Sequence, residues 1–202
     1  MTAREAILAA VRDALRDANR AETTVPRTYR AATAVEFVEL FVERVIDYRA
    51  ALTRCKRAEL ESSLRAAMGT ARKVLLPPGL EVEVIGSNLE ATVASDALGN
   101  ADLASFDAVV TAAALGIATT GTLVLDHGAG QGRRALSLVP DVHVCVVRES
   151  QIVSGVPQAV AILDPLKPQT WISGPSATSD IELTRVEGVH GPRTLHVILV
   201  AD

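Results

Sequence analysis

Cysteine is scarce in this sequence, which contains only Cys55 and Cys145, far apart along the chain. Neither belongs to a Cys-x-x-Cys spacing, so the pattern argues against a disulfide framework and favours a reducing compartment. Two isolated thiols also cannot supply the ligands of an iron–sulfur cluster or a structural zinc ion by themselves. We therefore predict no metal ion and no cofactor bound by this chain alone.

Long apolar segments are also missing. Charged residues, among them Arg4, Glu5 and Arg12, interrupt the N-terminal region, so it lacks the continuous apolar stretch of a signal peptide. No run approaches the roughly 18 apolar residues that a membrane span requires. The sequence predicts a cytoplasmic protein without a membrane span.

Neither sign of charge is in large excess. The chain has 20 Lys and Arg residues against 24 Asp and Glu residues, which gives a net charge of −4. A chain with this balance does not attract the phosphate backbone of a nucleic acid through its overall field. We therefore expect no nucleic-acid partner.

Aromatic residues make up only 3% of the chain, whereas 49% of its residues are hydrophobic. The core must therefore consist of Ala, Val, Leu and Ile, an aliphatic bias that suits a parallel α/β sheet. A length of 202 residues is enough for one well-buried domain with an appendage.

The N-terminal segment differs from the rest of the chain. Thr2 to Ala18 has helical spacing with a narrow apolar stripe, and the polar segment that follows has no periodicity. The stripe consists of Ile7, Leu8, Val11 and Leu15. We predict a helical arm and linker over residues 1–30 and an α/β domain over residues 31–202. The helix is either loosely packed, which we favour, or a docking element for a partner.

The remaining sequence predicts helices and short buried strands in alternation. A broad apolar face predicts a core helix at Val35 to Val45, and a further helix runs from about Lys56 to Met68, with Gly69 as its C-cap. Ser150 to Ala161 has the features of a crossover helix, and Tyr48 to Cys55 fits either a helix or a strand. The predicted strands are Val74–Leu76, Val82–Ile85, Ala108–Ala113, Thr122–Leu125, His143–Val147, Thr170–Ile172 and Leu195–Val200. The fold class is a three-layer α/β sandwich with a mostly parallel sheet and additional N-terminal helices.

A glycine-rich segment, Gly128 to Gly132, follows a predicted strand and invites comparison with a dinucleotide-binding loop. That fingerprint needs a third glycine where Arg133 stands, then a helix and a distant acidic residue. The match fails, and the chain has no Gly-x-x-x-x-Gly-Lys-Ser/Thr phosphate loop either. The motif therefore predicts no nicotinamide cofactor.

Three polar blocks interrupt the apolar runs of the second half and supply hydroxyls, glycines and charged groups. The candidate ligand-binding residues are Thr119, Thr120, Gly121, Thr122, Arg134, Gly174, Ser176 and Thr178. Arg134, preceded by Arg133, provides a guanidinium suited to a carboxylate or phosphate, although a solvated arginine pair explains the pattern equally well. The threonine block is equally compatible with an ordinary turn between strands.

His190 and Asp180 are the candidate catalytic residues. His190 lies in a loop between glycines, where an imidazole can act as a general acid or base, although a structural histidine fits as well. Asp180 follows Ser176 and Thr178, which are good N-cap residues for a helix whose N-terminus would attract an anion. Ordinary capping explains part of this pattern. His143 and His196 fall within strand patterns and are predicted to be buried or half-buried.

These ordered blocks resemble one protein family. The matching segments are Asp107–Thr111, Gly116–Leu125, Arg134–Pro140, His143, Ser173–Ser176 with Thr178 and Asp180–Glu182, and Gly188–Pro192. They are similar to the LutC (YkgG-like) lactate-utilisation family, the LUD domain. The family usually has a glutamate where this chain has Thr119, and often an arginine where it has Ala177.

The resemblance implies a fold similar to the ribose-phosphate isomerase, glucosamine-phosphate deaminase and CoA-transferase group. It also implies a part in oxidising L-lactate to pyruvate alongside partner proteins that carry iron–sulfur clusters, with a small anionic ligand. Under the preferred interpretation the chain is a non-redox subunit of that assembly. Two others compete: an independent enzyme acting on a sugar phosphate, CoA ester or folate-like substrate, and a ligand-sensing regulatory module.

Overall fold

The computed structural model describes residues 2–19, 21, 24–26, 36–81, 90–95, 98–178, 186–188 and 190–202. The chain forms two compact units, Met1–Arg30 and Ala31–Asp202. None of the helices in these ranges is long and apolar enough to cross a lipid bilayer.

Among its described residues, the first unit forms one helix, α1 (Ala3–Ala14). Thr2 caps it: the Thr2 side chain accepts a hydrogen bond from the Glu5 amide, and the Glu5 carboxylate accepts one from the Thr2 amide. This reciprocal capping box stabilises the first turn. Every described residue of α1 is exposed, including the apolar stripe, where Ile7 retains 64% of its accessible surface. The helix is shorter than the predicted span of Thr2 to Ala18.

The second unit is built on a six-stranded sheet in the order β1-β12-β7-β4-β2-β3. All five neighbouring pairs are parallel. The strands are β1 (Ala51–Lys56), β2 (Lys73–Leu76), β3 (Glu90–Val93), β4 (Ala108–Ala112), β7 (Val142–Arg148) and β12 (Thr194–Ala201). Because the strands are parallel, their carboxyl ends meet at one edge of the sheet and their amino ends at the other.

A smaller four-stranded sheet in the order β8-β5-β6-β9 covers part of one face. Its strands are β5 (Leu115–Ile117), β6 (Thr122–Leu125), β8 (Ile152–Val153) and β9 (Thr170–Ile172). The β5–β6 and β6–β9 pairs are antiparallel, whereas β5 and β8 are parallel. A separate antiparallel pair joins β10 (Ala177–Thr178) to β11 (Val186–Glu187).

Helices complete the layers on both faces of the large sheet. Helix α2 (Phe37–Asp47) buries Phe41 and Val45 in a core shared with the small sheet and β7. On the opposite face, α3 (Leu60–Met68) buries Leu64 and Met68 against β2, β4, β7 and β12. Two shorter helices pack against the sheets: α4 (Asn100–Leu103) against β2 and β4 of the main sheet, and α5 (Val156–Ile162) against β5 and β6 of the small one. The arrangement confirms the predicted α/β fold with a mostly parallel sheet.

The apolar runs predicted the strands well. All the predicted strands in the described residues are present, and Tyr48 to Cys55 resolves as a strand rather than a helix from Ala51 onwards. Gly69 caps α3 with a φ of 56°, as the sequence predicts. The predicted strand Val82–Ile85 lies outside the described residues.

The predicted crossover helix from Ser150 to Ala161 is wrong in its first half. Glu149–Gln151 form a 3₁₀ turn, β8 follows, and α5 begins only after Gly155. The Gln151 side-chain amide donates hydrogen bonds to the carbonyls of Ala113 (2.8 Å) and Ala114 (3.1 Å). These bonds hold the segment beside β5, where Ile152 becomes buried as a strand residue.

Candidate functional site

A cavity of about 210 Å³ lies at the amino ends of β7 and β12, and we call it the amino-edge cavity. It is lined by Arg134, Ser137, Leu138, His143, Thr170–Ser176, His190–Pro192 and Leu195. His143 and Leu195 are register partners on the adjacent strands β7 and β12. The cavity thus joins segments that are widely separated in the sequence, and it contains four of the predicted site residues: Arg134, Gly174, Ser176 and His190.

Ser176 ties two of the lining loops together. Its amide donates to the Pro192 carbonyl at 2.9 Å, and its carbonyl accepts from the Gly188 amide at 2.9 Å. Its hydroxyl also accepts a hydrogen bond from the His190 amide at 3.2 Å. The His190 backbone is therefore fixed, while its ring lies on the exposed side of the cavity. Ser176 acts first as a structural link between these loops.

Arg134 supplies positive charge at the cavity. It begins a 3₁₀ turn, Arg134–Ser137, whose Ser137 hydroxyl donates to the Arg134 carbonyl at 3.1 Å. Among the described residues, the Arg134 guanidinium makes no hydrogen bond or ion pair. The neighbouring Arg133 guanidinium instead donates to the Leu98 carbonyl. Of the two arginines, Arg134 is therefore the one available to an anion.

His143 forms part of the cavity wall and is only 1% exposed. Its Nε2 lies 2.8 Å from the Thr111 hydroxyl, which in turn donates to Cys145 Sγ at 3.6 Å. In this arrangement Nε2 carries the proton and donates to Thr111, so Nδ1 is left as an acceptor. Burial lowers the pKa of His143 to about 4, so the ring is neutral at physiological pH.

Cys145 is unsuited to nucleophilic chemistry. It is fully buried, and burial raises the pKa of its thiol to about 12, although the hydrogen bond from Thr111 opposes this effect. The reactive thiolate is therefore not populated near neutral pH. Cys55 is also a buried free thiol. Within the described part of the chain, no group of three His, Cys, Asp or Glu side chains is placed to hold a metal ion.

The threonine block lies at the tip of the β5–β6 hairpin, and only its last member reaches towards the cavity. The Thr122 hydroxyl is 2.8 Å from the hydroxyl of Ser173, which lines the cavity, and 2.7 Å from that of Thr120. Thr119 is exposed, and its amide donates to the Ser154 carbonyl at 3.2 Å. Thr119, Thr120 and Gly121 do not line the amino-edge cavity.

Two predicted ligand-binding glycines are in close contact with the C-terminal part of α2. At Gly121, where φ is 58°, an added Cβ would lie 2.7 Å from the backbone carbon of Arg44. At Gly174, where φ is 83°, it would lie 2.7 Å from the Tyr48 carbonyl oxygen. Any side chain would clash at either position, and the backbone conformation favours glycine as well. Both glycines are therefore explained by packing of the chain against itself.

Thr178 and Asp180 complete the set of predicted site residues. Thr178 ends β10, whose backbone pairs with β11. Asp180 lies outside the described residues. In contrast, little in the sequence indicates that His143 and Trp171 belong to the site. The pattern around His143 indicates only a buried strand residue. Trp171 lies in a predicted strand, and the strand pattern does not show what its ring contacts. Their shared cavity results from the stacking of the small sheet on the large one.

Comparisons with known proteins assign the family. The family model of the LUD domain matches residues 84–200. The chain is 48% identical over 169 residues to lactate utilization protein C of Deinococcus radiodurans, covering 82% of this chain and 80% of that protein. It is 37% identical over 94 residues to lactate utilization protein C of Bacillus pumilus, covering 43% and 39% of the two chains.

A solved structure agrees with these sequence matches. The 1.70 Å crystal structure of a DUF162 family protein from Deinococcus radiodurans superposes with a TM-score of 0.70 at 40% identity. The match covers 88% of this chain and 99% of that one. The resemblance inferred from the polar blocks is thereby confirmed, and the chain belongs to the LUD domain family.

Proposed function

We propose that this protein serves lactate utilisation by binding a small 2-hydroxy or 2-oxo carboxylate in the amino-edge cavity. The names of its relatives in Deinococcus and Bacillus support the lactate-utilisation role. The observation that carries the ligand assignment is the convergence of Arg134, His143 and His190 on a cavity of about 210 Å³. That volume is below the roughly 300–1,000 Å³ of pockets for drug-sized ligands and suits a three-carbon acid.

The chemistry of the lining matches L-lactate or pyruvate. A guanidinium binds a carboxylate through two parallel hydrogen bonds, and Arg134 is available for this contact. The neutral His143 ring can accept a hydrogen bond from the lactate 2-hydroxyl at Nδ1, and a ring N–H of His190 can donate to the pyruvate 2-oxo group. The site therefore binds both members of the couple without itself transferring electrons.

We assign the redox step to partner proteins that carry iron–sulfur clusters. Oxidising lactate to pyruvate removes two electrons, which need an acceptor. This chain has only two cysteines, which are too few thiolates to ligate a cluster, and it has no dinucleotide fingerprint either. In this proposal the LUD domain binds substrate or product and contributes assembly or control. The purified chain should then fail to reduce an artificial acceptor with L-lactate, and turnover by metal-free, partner-free protein would contradict the proposal.

Replacing Arg134 is expected to weaken carboxylate binding about tenfold or more, because a charge-assisted bidentate contact is lost. The chain's single tryptophan, Trp171, lines the cavity, so its fluorescence should report titration with pyruvate or L-lactate. The matched control is Arg133→Gln, since Arg133 bonds to the Leu98 carbonyl instead. Equal affinities of wild type and Arg134→Gln for both acids would contradict the role of Arg134.

Growth tests the cellular role. In a host with no other L-lactate route, deletion of the coding sequence is expected to prevent growth on L-lactate as the carbon source. Re-expression of wild type or Arg133→Gln should restore growth, whereas Arg134→Gln should restore it poorly. Normal growth of the deletion strain on L-lactate would refute the pathway assignment, whatever the binding experiments show.

A further inference from the structure

A second and larger cavity, of about 550 Å³, lies at the opposite edge of the main sheet. We call it the carboxyl-edge cavity; its lining includes Arg57, Leu80, Ala113, Gln131, Val146 and Arg148. These residues lie at or beyond the carboxyl ends of β1, β2, β4 and β7, and in the loop after β6. Open α/β sheets bind ligands at this edge, and the volume is within the usual range for small-molecule sites.

The Gly128–Gly132 loop forms one wall, although it fails as a dinucleotide fingerprint. The Gly130 carbonyl accepts from the Ala112 amide at 2.7 Å, and the Gly130 amide donates to the Pro78 carbonyl at 2.9 Å. These bonds fix the loop between the ends of β4 and β2. The loop therefore presents Gln131 to the cavity from a rigid backbone.

Gln131 is held in this wall by Asp126. The side chain is only 6% exposed, and its Oε1 accepts from the Asp126 amide at 2.6 Å. The Gln131 side-chain amide also donates to the Asp126 carboxylate. Gln131 therefore fixes Asp126 at the edge of the cavity.

The charges around the cavity favour an anion. Of the lining carboxylates, Glu61 pairs with Arg65 at 2.6 Å, and Asp126 pairs with Lys167 at 3.0 Å. Burial raises the pKa of Asp126, but hydrogen bonds from Lys167, the Gly128 amide and the Gln131 side chain outweigh it and lower the pKa overall. These two charges are therefore already balanced.

The arginines are not balanced in the same way. Neither Arg57 nor Arg148 makes a side-chain hydrogen bond or an ion pair within 4 Å of a described residue. Arg148 interacts electrostatically with the Asp202 carboxylate, and Glu81 is the one further lining carboxylate. They are close across the sheet: Val200 is the register partner of both Arg148 and Cys55, and Arg57 follows Cys55 by two residues. Leu60, Leu80, Val146 and the alanines Ala112–Ala114 supply apolar surface beside them.

We propose that the carboxyl-edge cavity is a second ligand site, which takes an organic anion larger than lactate. The carboxylate or phosphate of this ligand lies between Arg57 and Arg148, and its apolar body covers the alanines that follow β4. The site is independent of the proposed lactate function, because it shares none of its lining residues with the amino-edge cavity.

Calorimetric titration of the full chain with octanoate, octyl phosphate and inorganic phosphate tests the site. One of the two octyl anions should bind at least tenfold more tightly than inorganic phosphate, and the tighter one identifies the anionic group. Arg57→Gln and Arg148→Gln should each weaken that binding about tenfold. Arg72→Gln, a matched charge loss at the amino end of β2, should have no effect.

Binding at the carboxyl-edge cavity and binding at the amino-edge cavity can be tested separately. The Arg57 and Arg148 variants should keep the wild-type Trp171 fluorescence response to pyruvate, since neither residue lines that cavity. Absence of binding by both octyl anions would overturn the proposal. So would wild-type affinity in both arginine variants, or an equal loss in Arg72→Gln.

Discussion

Replacing Phe41 with alanine is expected to lower the free energy of unfolding by about 3–5 kcal/mol, the usual cost of truncating a fully buried aromatic side chain. Phe41 is 0% exposed and packs in the core that α2 shares with β6, β7 and β8. Its ring also fills the space above Gly116, where an added Cβ would lie 3.0 Å from Phe41 Cε2. The truncation would therefore leave a cavity that Gly116 cannot fill.

Phe37→Ala is the matched control on the same helix. Phe37 is 38% exposed, so its truncation should cost less than about 1 kcal/mol. Urea titration followed by circular dichroism measures both variants. A Phe41→Ala loss no larger than that of Phe37→Ala would show that α2 does not anchor the core.

Acidification is expected to destabilise the protein through His143, which contributes about 3 kcal/mol between pH 6.5 and pH 4. Burial lowers the folded-state pKa of His143 from 6.5 to about 4. In this window the unfolded chain binds a proton that the folded chain does not, so protonation favours unfolding. The contribution is complete above pH 6.5 and is lost as the pH falls to about 4.

His143→Gln keeps a hydrogen-bond donor for Thr111 and removes the titrating group. The difference in unfolding free energy between pH 7.5 and pH 5 should therefore be clearly smaller in this variant than in wild type. His196→Gln is the control: burial also lowers the pKa of His196, but that residue is only half-buried beside Thr53. If wild type and His143→Gln lost stability in parallel on acidification, the assignment to His143 would be incorrect.

The sequence predicted the secondary structure best where strands are buried on both faces of the sheet, because such strands are simple apolar runs. The apolar runs at β4, β7 and β12 read as strands because a parallel sheet covered on both faces needs no polar alternation. It predicted worst at Ser150 to Ala161, where Gln151 bonds to the carbonyls that follow β4 and draws β8 into the small sheet. Whether this segment forms a helix or a strand depends on a neighbour that is distant in the sequence, and local periodicity carries no information about that neighbour.

The candidate site was also predicted only in part. Polar blocks led to Arg134, Ser176 and His190, which line one cavity, but the same reasoning could not separate glycines that meet a ligand from glycines that meet the backbone. Gly121 and Gly174 belong to the second kind, since the chain at Arg44 and Tyr48 occupies the space beside them. The Gly128–Gly132 loop follows a strand in the sequence, but its position beside the larger cavity depends on contacts with β2 and β4 that the sequence does not show.

The position of β12 has a consequence for how the chain folds. This strand follows every other strand of the main sheet along the chain, yet it lies between β1 and β7, and its Ala51–His196 pairing joins distant parts of the sequence. Until residues 194–201 are synthesised, β1 and β7 both present unpaired edges, which are templates for aggregation. Closure of such non-local parallel pairs is slow. Folding should therefore be limited by insertion of this strand, and nascent chains that end before it should depend on chaperones.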